Sequence, residues 1–210
     1  MRKTAQAARF HLMLEENREA AIKEYGGVLP MYYAFYIEAI RRHCSSAMQS
    51  IEYLADYVQM TNDTQGDFDQ TAELSRAVLD HLENLVTNAA AIRRYFWPVW
   101  DGKHNLHAER GKTLRARFRL EDNSPLKDKR LRDYLEHFDE KLDTYLWDKP
   151  VTGHVIPFYV GGSPNTGGVP LHVFRAYYID VGVFESLGTR YEIQPIVDEI
   201  IKIAQMLEEC

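Results

Sequence analysis

The chain has 210 residues, of which 45% are hydrophobic and 27% charged, and a formal net charge of -6. That composition supplies one core for a soluble globular domain, and no apolar run approaches the length of about 18 residues that a membrane span needs. The acidic balance argues against a broad grip on nucleic acid.

Cysteine use is sparse. Cys44 and Cys210 make no disulfide framework. Met1-Arg2-Lys3-Thr4 is followed by Ala, Gln and Arg instead of the apolar core of a signal peptide. Together these features point to the cytoplasm.

In chain order, residues Ala8 to Glu24 read as a short amphipathic helix closed by Gly26-Gly27. A long helix from Pro30 to Tyr57 follows, with Tyr32, Phe35, Ala39, Ile40, Met48, Ile51 and Leu54 at three- and four-residue steps. Thr61 to Asp67 is polar and reads as a loop. From Gln70 to Phe96 a third helix carries Leu74, Val78, Leu82, Leu85, Ala89, Ile92 and Phe96 at a period near 3.5, and Pro98 stops it. Leu106 to Phe118 reads as a shorter basic helix.

Ser124-Pro125 reads as a capped helix start. The helix it opens places Leu131, Leu135, Phe138, Leu142 and Tyr145 on one stripe and ends near Trp147 and Pro150. Beyond that point the texture changes. Val151–Val160 and Val169–Asp180 are rich in β-branched and aromatic residues and read as strands joined by a glycine-rich loop. Val181–Phe184 and Arg190–Ile193 suit a further hairpin, and Pro195 to Leu207 a last amphipathic helix. The expected fold is mainly α (α+β): an antiparallel helical bundle over 1–149, then a small C-terminal β-sheet appendage with a terminal helix over 150–210.

The charge is uneven. From Lys103 to Arg132 there are ten Lys or Arg against four acids, Glu109, Glu121, Asp122 and Asp128. Arg115, Arg117, Arg119, Lys127, Lys129 and Arg130 in this segment are candidates for holding a phosphate backbone. The bland alternative is a solvated charged face.

Directly after this segment stands Leu131-Arg132-Asp133-Tyr134-Leu135-Glu136-His137-Phe138-Asp139-Glu140-Lys141-Leu142-Asp143. Arginine, a polar residue, three spacers and histidine resemble the motif of the HEPN superfamily (higher eukaryotes and prokaryotes nucleotide-binding). The surrounding phrase is similar to the bacterial pattern beyond the bare motif. Arg76 and His81 share the spacing, but Ala77 follows the arginine there. The resemblance spans residues 30–148 and is specific around Leu126 to Asp143.

It implies a helical bundle of HEPN type and a metal-independent RNA endonuclease needing no cofactor. Toxin–antitoxin or phage-defence systems are the implied setting, with RNA and an antitoxin protein as candidate partners. Arg132, His137 and Asp133 are the implied catalytic residues. Histidine would move the 2′-hydroxyl proton, arginine would fork onto the phosphate oxygens, and Asp133 would occupy the family's polar position.

On a continuous helix, at about 100° per residue, Arg132 and His137 lie about 140° apart, too far for one compact pocket. Asp133 and His137 share a stripe on such a helix, so the carboxylate could orient the imidazole. The family's habit of dimerising would bring two Arg/His pairs into one cleft. A catalytically inactive HEPN-like assembly or nucleotide-binding module is the alternative.

Other constellations are weaker. His104 and His107 lack companion ligands, and the acids of Asp133 to Asp143 read as a solvated face. The loop at Gly161 lacks a phosphate-loop ending, though His154, His172 and Arg175 flank it. Cys44 reads as an ordinary buried thiol, and Tyr95-Phe96-Trp97-Trp100 as a core plug.

Overall fold

The computed structural model describes residues 2–63, 72–98, 106–148, 152–164 and 167–209; side chains of residues 2–11 and of Leu131, Arg132 and Tyr134 lie outside that description. The protein is mainly helical, with one four-stranded sheet. Helix α1 spans Arg2–Tyr25, α2 Tyr33–Asp63, α3 Ala72–Phe96, α4 Leu106–Arg117, α5 Arg130–Glu136, α6 Phe138–Asp148 and α7 Gln194–Glu208. Strands β1 (His154–Gly161), β2 (Leu171–Tyr178), β3 (Val183–Ser186) and β4 (Thr189–Glu192) lie between α6 and α7.

Helices α2 and α3 form the spine. Their apolar stripes meet through Ile40, Cys44, Ala47 and Leu54 on one side and Val78, Leu82, Leu85, Ala89 and Ile92 on the other, all buried. The pairing is antiparallel. His43 Nδ1 lies 3.0 Å from Asn88 Oδ1 near one end, while His81 Nδ1 lies 3.3 Å from Ser50 Oγ further along. Asn84 and Asn88 satisfy the buried polar groups of this seam, Asn88 donating to Ser46 Oγ at 3.1 Å and Asn84 to Ser50 Oγ at 2.8 Å.

The first helix ends as its glycines predict. Gly26 and Gly27 have φ of 57° and 80°, and the Gly27 N–H bonds Ala21 O at 2.7 Å, satisfying a carbonyl of the last turn. Beyond α4, the chain from Phe118 to Leu126 buries Phe118, Leu120 and Leu126 against the spine.

The sheet is mixed, with order β1-β2-β3-β4. β1 and β2 run parallel, His154 facing Leu171 and Gly161 facing Tyr178, whereas β2–β3 and β3–β4 are antiparallel. Only residues 162–170 connect the parallel pair, fewer than the dozen or so such a crossover usually takes. β3 turns into β4 through Leu187 and Gly188, both at positive φ (48° and 80°), as tight two-residue hairpins require.

Three expectations are corrected. The segment after Ser124 is not one helix. Pro125–Lys127 is a single 3-10 turn, α5 has seven residues, and His137 breaks the path at φ -114°, ψ 32° before α6 begins. The break lets Leu135 pack on the spine while Phe138 and Tyr145 turn to the sheet.

Ser124 is not a cap either. It is buried, and its hydroxyl donates to Glu199 Oε1 on α7 at 3.0 Å. The α5 entrance is served by Asp128, whose carboxylate accepts the Arg130 N–H at 2.9 Å.

Thr61 to Asp63 extend α2, with Thr61 Oγ1 donating to Val58 O at 2.8 Å and Gln59 reaching Asp63; residues 64–67 of that expected loop lie outside the described residues. The region after 150 packs into the same core as the bundle. Val160, Tyr177, Phe184, Ile193, Ile200, Ile203 and Leu207 belong to the same buried cluster as α2 and α3. Each fully buried side chain of this kind contributes about 1.5–3 kcal/mol, so the sheet and α7 are structural partners of the spine.

Candidate functional site

Helix α5 is short; Arg132 and Asp133 lie within it, and His137 stands at the break in helical geometry that follows. Arg132 belongs to α5, with its side chain outside the description. His137 stands at the junction. Its N–H bonds Asp133 O at 3.3 Å, and its carbonyl accepts the Lys141 N–H at 3.0 Å, so it ends one helix and opens the next. The imidazole is more than half exposed (55%), with Nδ1 3.6 Å from Glu140 Oε2. The angular relation expected on a continuous helix holds only as far as Glu136, because the backbone leaves helical geometry at His137.

Asp133 was expected beside His137. Its carboxylate lies 3.6 Å from Nζ of Lys129, the residue just before α5. Glu136, the neighbour of His137, lies 3.8 Å from Arg94 on α3, tying the junction to the spine.

The basic approach segment carries its own counter-charges. Lys127 Nζ and Arg115 Nε lie 3.6 and 3.9 Å from Asp122, and Arg130 pairs with Asp128 at 2.6 Å. The Arg130 side-chain hydrogen bond holds the Asp128 carboxyl below its ordinary pKa. Pairs this exposed are screened by solvent and add little to stability.

Arg115 differs from the rest. It is only 20% exposed, its guanidinium donates to Phe96 O and sits 5.6 Å from the Trp97 ring centroid, and it locks α4 to the end of α3. Arg117, with its guanidinium 4.7 Å over Tyr33, and Arg119, Lys127, Lys129 and Arg130 remain on the surface.

Helix α6 is the other half of the site. Phe138 meets the Arg175 guanidinium at 4.1 Å from its ring centroid, and Tyr145 lies 2.6 Å from His172 Nδ1. These contacts hold the inner stripe of α6 against β2. No residue of α6 is fully buried, and its far end exposes Leu146 (46%) and Trp147 (90%).

The competing Arg76/His81 pair is resolved by packing. His81 stacks on Tyr53 at 3.9 Å inside the α2–α3 seam, whereas Arg76 turns outward over Phe158 at 5.0 Å. Sequence reasoning named Arg175 only as a flank of the glycine-rich loop and gave Arg76 no role. The signal they lacked was long-range, since β2 and α6 meet α3 only through the tertiary fold.

Phe96 and Trp97 are buried, as a core plug requires, while Trp100 lies outside the described residues. His104 also lies outside them, and His107 is exposed on α4. Among the described residues no helix is long and apolar enough to cross a membrane. The chain matches no protein-family model, no curated protein and no solved structure.

Proposed function

We propose that this protein is a metal-independent RNA endonuclease of HEPN type, acting at a composite cleft between two copies of the chain. The observation that carries the reading is the junction itself: an exposed histidine at the root of a helix that buries none of its residues within the monomer. A helix with Leu146 and Trp147 open to water is poorly used in a monomer and well used between two.

Dimerisation along α6 brings two His137 side chains to a shared groove. There the imidazole takes the proton of a ribose 2′-hydroxyl as that oxygen attacks the adjacent phosphorus. The leaving 5′-oxygen takes up the proton that the imidazole removed, relayed back from the imidazolium through water, and a 2′,3′-cyclic phosphate results. Arg132 neutralises charge building on the phosphate oxygens. Arg130, Lys129 and Lys127 lead the strand toward the junction, exchanging their own carboxylates for phosphates. A toxin or phage-defence role is the setting this chemistry suits.

The second reading is a catalytically inactive assembly module. The observation favouring it is that Asp133 and His137 already lie beside Lys129 and Glu140.

Two measurements decide. With chelator present, wild-type protein cleaves RNA to cyclic-phosphate ends, and His137→Ala or Arg132→Ala lowers the rate by about 10²–10⁴-fold. Dimer mass in light scattering at micromolar concentration falls to monomer mass in Trp147→Asp, without loss of thermal stability, because that side chain is 90% exposed. No cleavage with an intact dimer selects the assembly reading. A monomeric wild type removes the composite cleft altogether.

A further inference from the structure

Beside the junction, one residue from His137, a surface cleft of about 380 Å³ opens between α3, the start of α6 and strands β1–β2. Arg76, Asp80, Phe138, Phe158, Phe174 and Arg175 line it. That volume is within the range of about 300–1,000 Å³ usual for small-ligand sites.

Its chemistry is two-sided. Three phenylalanine rings supply π-faces, and two guanidinium groups stand over two of them, Arg76 at 5.0 Å from Phe158 and Arg175 at 4.1 Å from Phe138. Unpaired RNA bases are recognised by surfaces of this kind, stacking on aromatic rings or guanidinium planes while polar groups read their edges.

Behind the cleft Arg175 Nη1 pairs with Glu83 Oε1 at 2.7 Å, and the buried Arg175 Nε has no hydrogen-bond partner among the described residues. On the outer side Asp80 stands one turn from Arg76 on α3. Both are exposed, and Asp80 offers acceptors only.

We propose that this cleft holds a guanine base of the RNA strand, next to the phosphate presented to His137. The proposal rests on the RNA-cleavage reading of the junction. Guanine is the base whose Watson–Crick edge places two donors side by side, N1–H and N2–H₂, matching the two oxygens of one carboxylate. Asp80 takes that edge, the phenylalanine rings and the Arg76 plane take the faces, and the guanidinium groups offset the neighbouring phosphate. The subsite confers a preference for cleavage beside an unpaired guanosine.

The test separates binding from cleavage by using 2′-deoxy tetranucleotides, which lack the attacking hydroxyl. Calorimetric titration of the full chain compares one containing a single guanine with an all-adenine counterpart. The guanine oligonucleotide binds about ten-fold more tightly, within the range of discrimination that a two-point hydrogen-bonded contact to a base edge supplies. Arg76→Ala weakens both ligands, and Asp80→Asn erases the preference. Both residues are exposed, so the variants keep the wild-type melting temperature, which is measured alongside.

Equal affinity for the two ligands, or a preference surviving Asp80→Asn, overturns the proposal. A wild type that discriminates between them yet leaves ribo-oligonucleotides uncut removes the nuclease reading and keeps the base site. A nuclease indifferent to both substitutions does the reverse.

Discussion

Tyr145 of α6 and His172 of β2 share a hydrogen bond of 2.6 Å, joining the helix that His137 opens to the middle of the sheet. Burial, with Glu185 as a second cause, raises the Tyr145 pKa, so the phenol keeps the proton it can donate. The ring also packs edge-on against Phe174. The orientation of the candidate site therefore depends on residues outside the span of the HEPN resemblance.

Tyr145→Phe removes that hydrogen bond and keeps the ring. Stability falls by about 0.5–1.5 kcal/mol in urea denaturation, and amide exchange along α6 accelerates relative to α2. Unchanged exchange in α6 would show that the sheet does not hold the helix.

Gly27 and Gly188 both have φ of 80°, but their surroundings differ. A Cβ on Gly27 would meet Arg110 N at 2.6 Å and Leu106 O at 2.7 Å, both backbone of α4, whereas one on Gly188 meets nothing within 4 Å. Alanine at either position carries the left-handed penalty of about 1–2 kcal/mol. Gly27→Ala additionally pushes α1 away from α4 and destabilises by more than Gly188→Ala. Equal melting temperatures for the two variants would contradict the close approach.

Glu83 gives stability a pH dependence. Burial, the largest cause, raises its pKa from the ordinary 4.5; Arg175 opposes the shift and Asp80 adds to it. The folded state thus binds the proton more tightly than the unfolded chain. Stability from this group is complete below 4.5 and declines as pH climbs through the raised folded value. Glu83→Gln flattens that decline, visible as a smaller difference in urea midpoint between pH 4 and pH 7. A decline of the same size in the variant would assign it elsewhere.

Cys44 is 2% exposed at the α2–α7 contact, its Sγ 3.6 Å from Ile200 O, and burial pushes its pKa to about 11. In a Cys210→Ser background it is the only thiol. An aromatic disulfide reagent at pH 8 then reacts no faster than the protein unfolds, because the nucleophilic thiolate is scarce and covered. Rapid, denaturant-independent labelling would show that α7 opens from α2 on its own.

Much of the fold was legible because helix patterning is local. The stripe from Leu74 to Phe96 predicts α3 nearly to the residue, and Gly26-Gly27 predicts the end of α1, since a left-handed backbone there needs glycine. The β-branched and aromatic content after Pro150 predicts strands, and the period of α7 survives intact. What failed did so for long-range reasons. Ser124-Pro125 has a good capping sequence, but Glu199 offers the serine hydroxyl a partner 75 residues away. The stripe through Leu135 and Phe138 fits one helix on paper, yet its two ends pack on different surfaces, the spine and the sheet.

The candidate site divides the same way. Arg132, Asp133 and His137 were found by spacing and by resemblance, which need no coordinates. The exposure of His137 and the pairing of Asp133 with Lys129 were decided by the break at the junction. So was the turning of Phe138 toward Arg175.

By itself, the order of amino acids determined where most helices and strands form, because capping, turn geometry and hydrophobic period act over a few residues. It also marked an arginine and a histidine at a recognisable spacing. Only the tertiary structure decided the parallel pairing of β1 with β2, the common core of sheet and bundle, and the cleft where Arg76 and Arg175 converge. Those outcomes rest on contacts between residues far apart in the chain, 156 positions for Cys44 and Ile200, whose free energy no local pattern encodes.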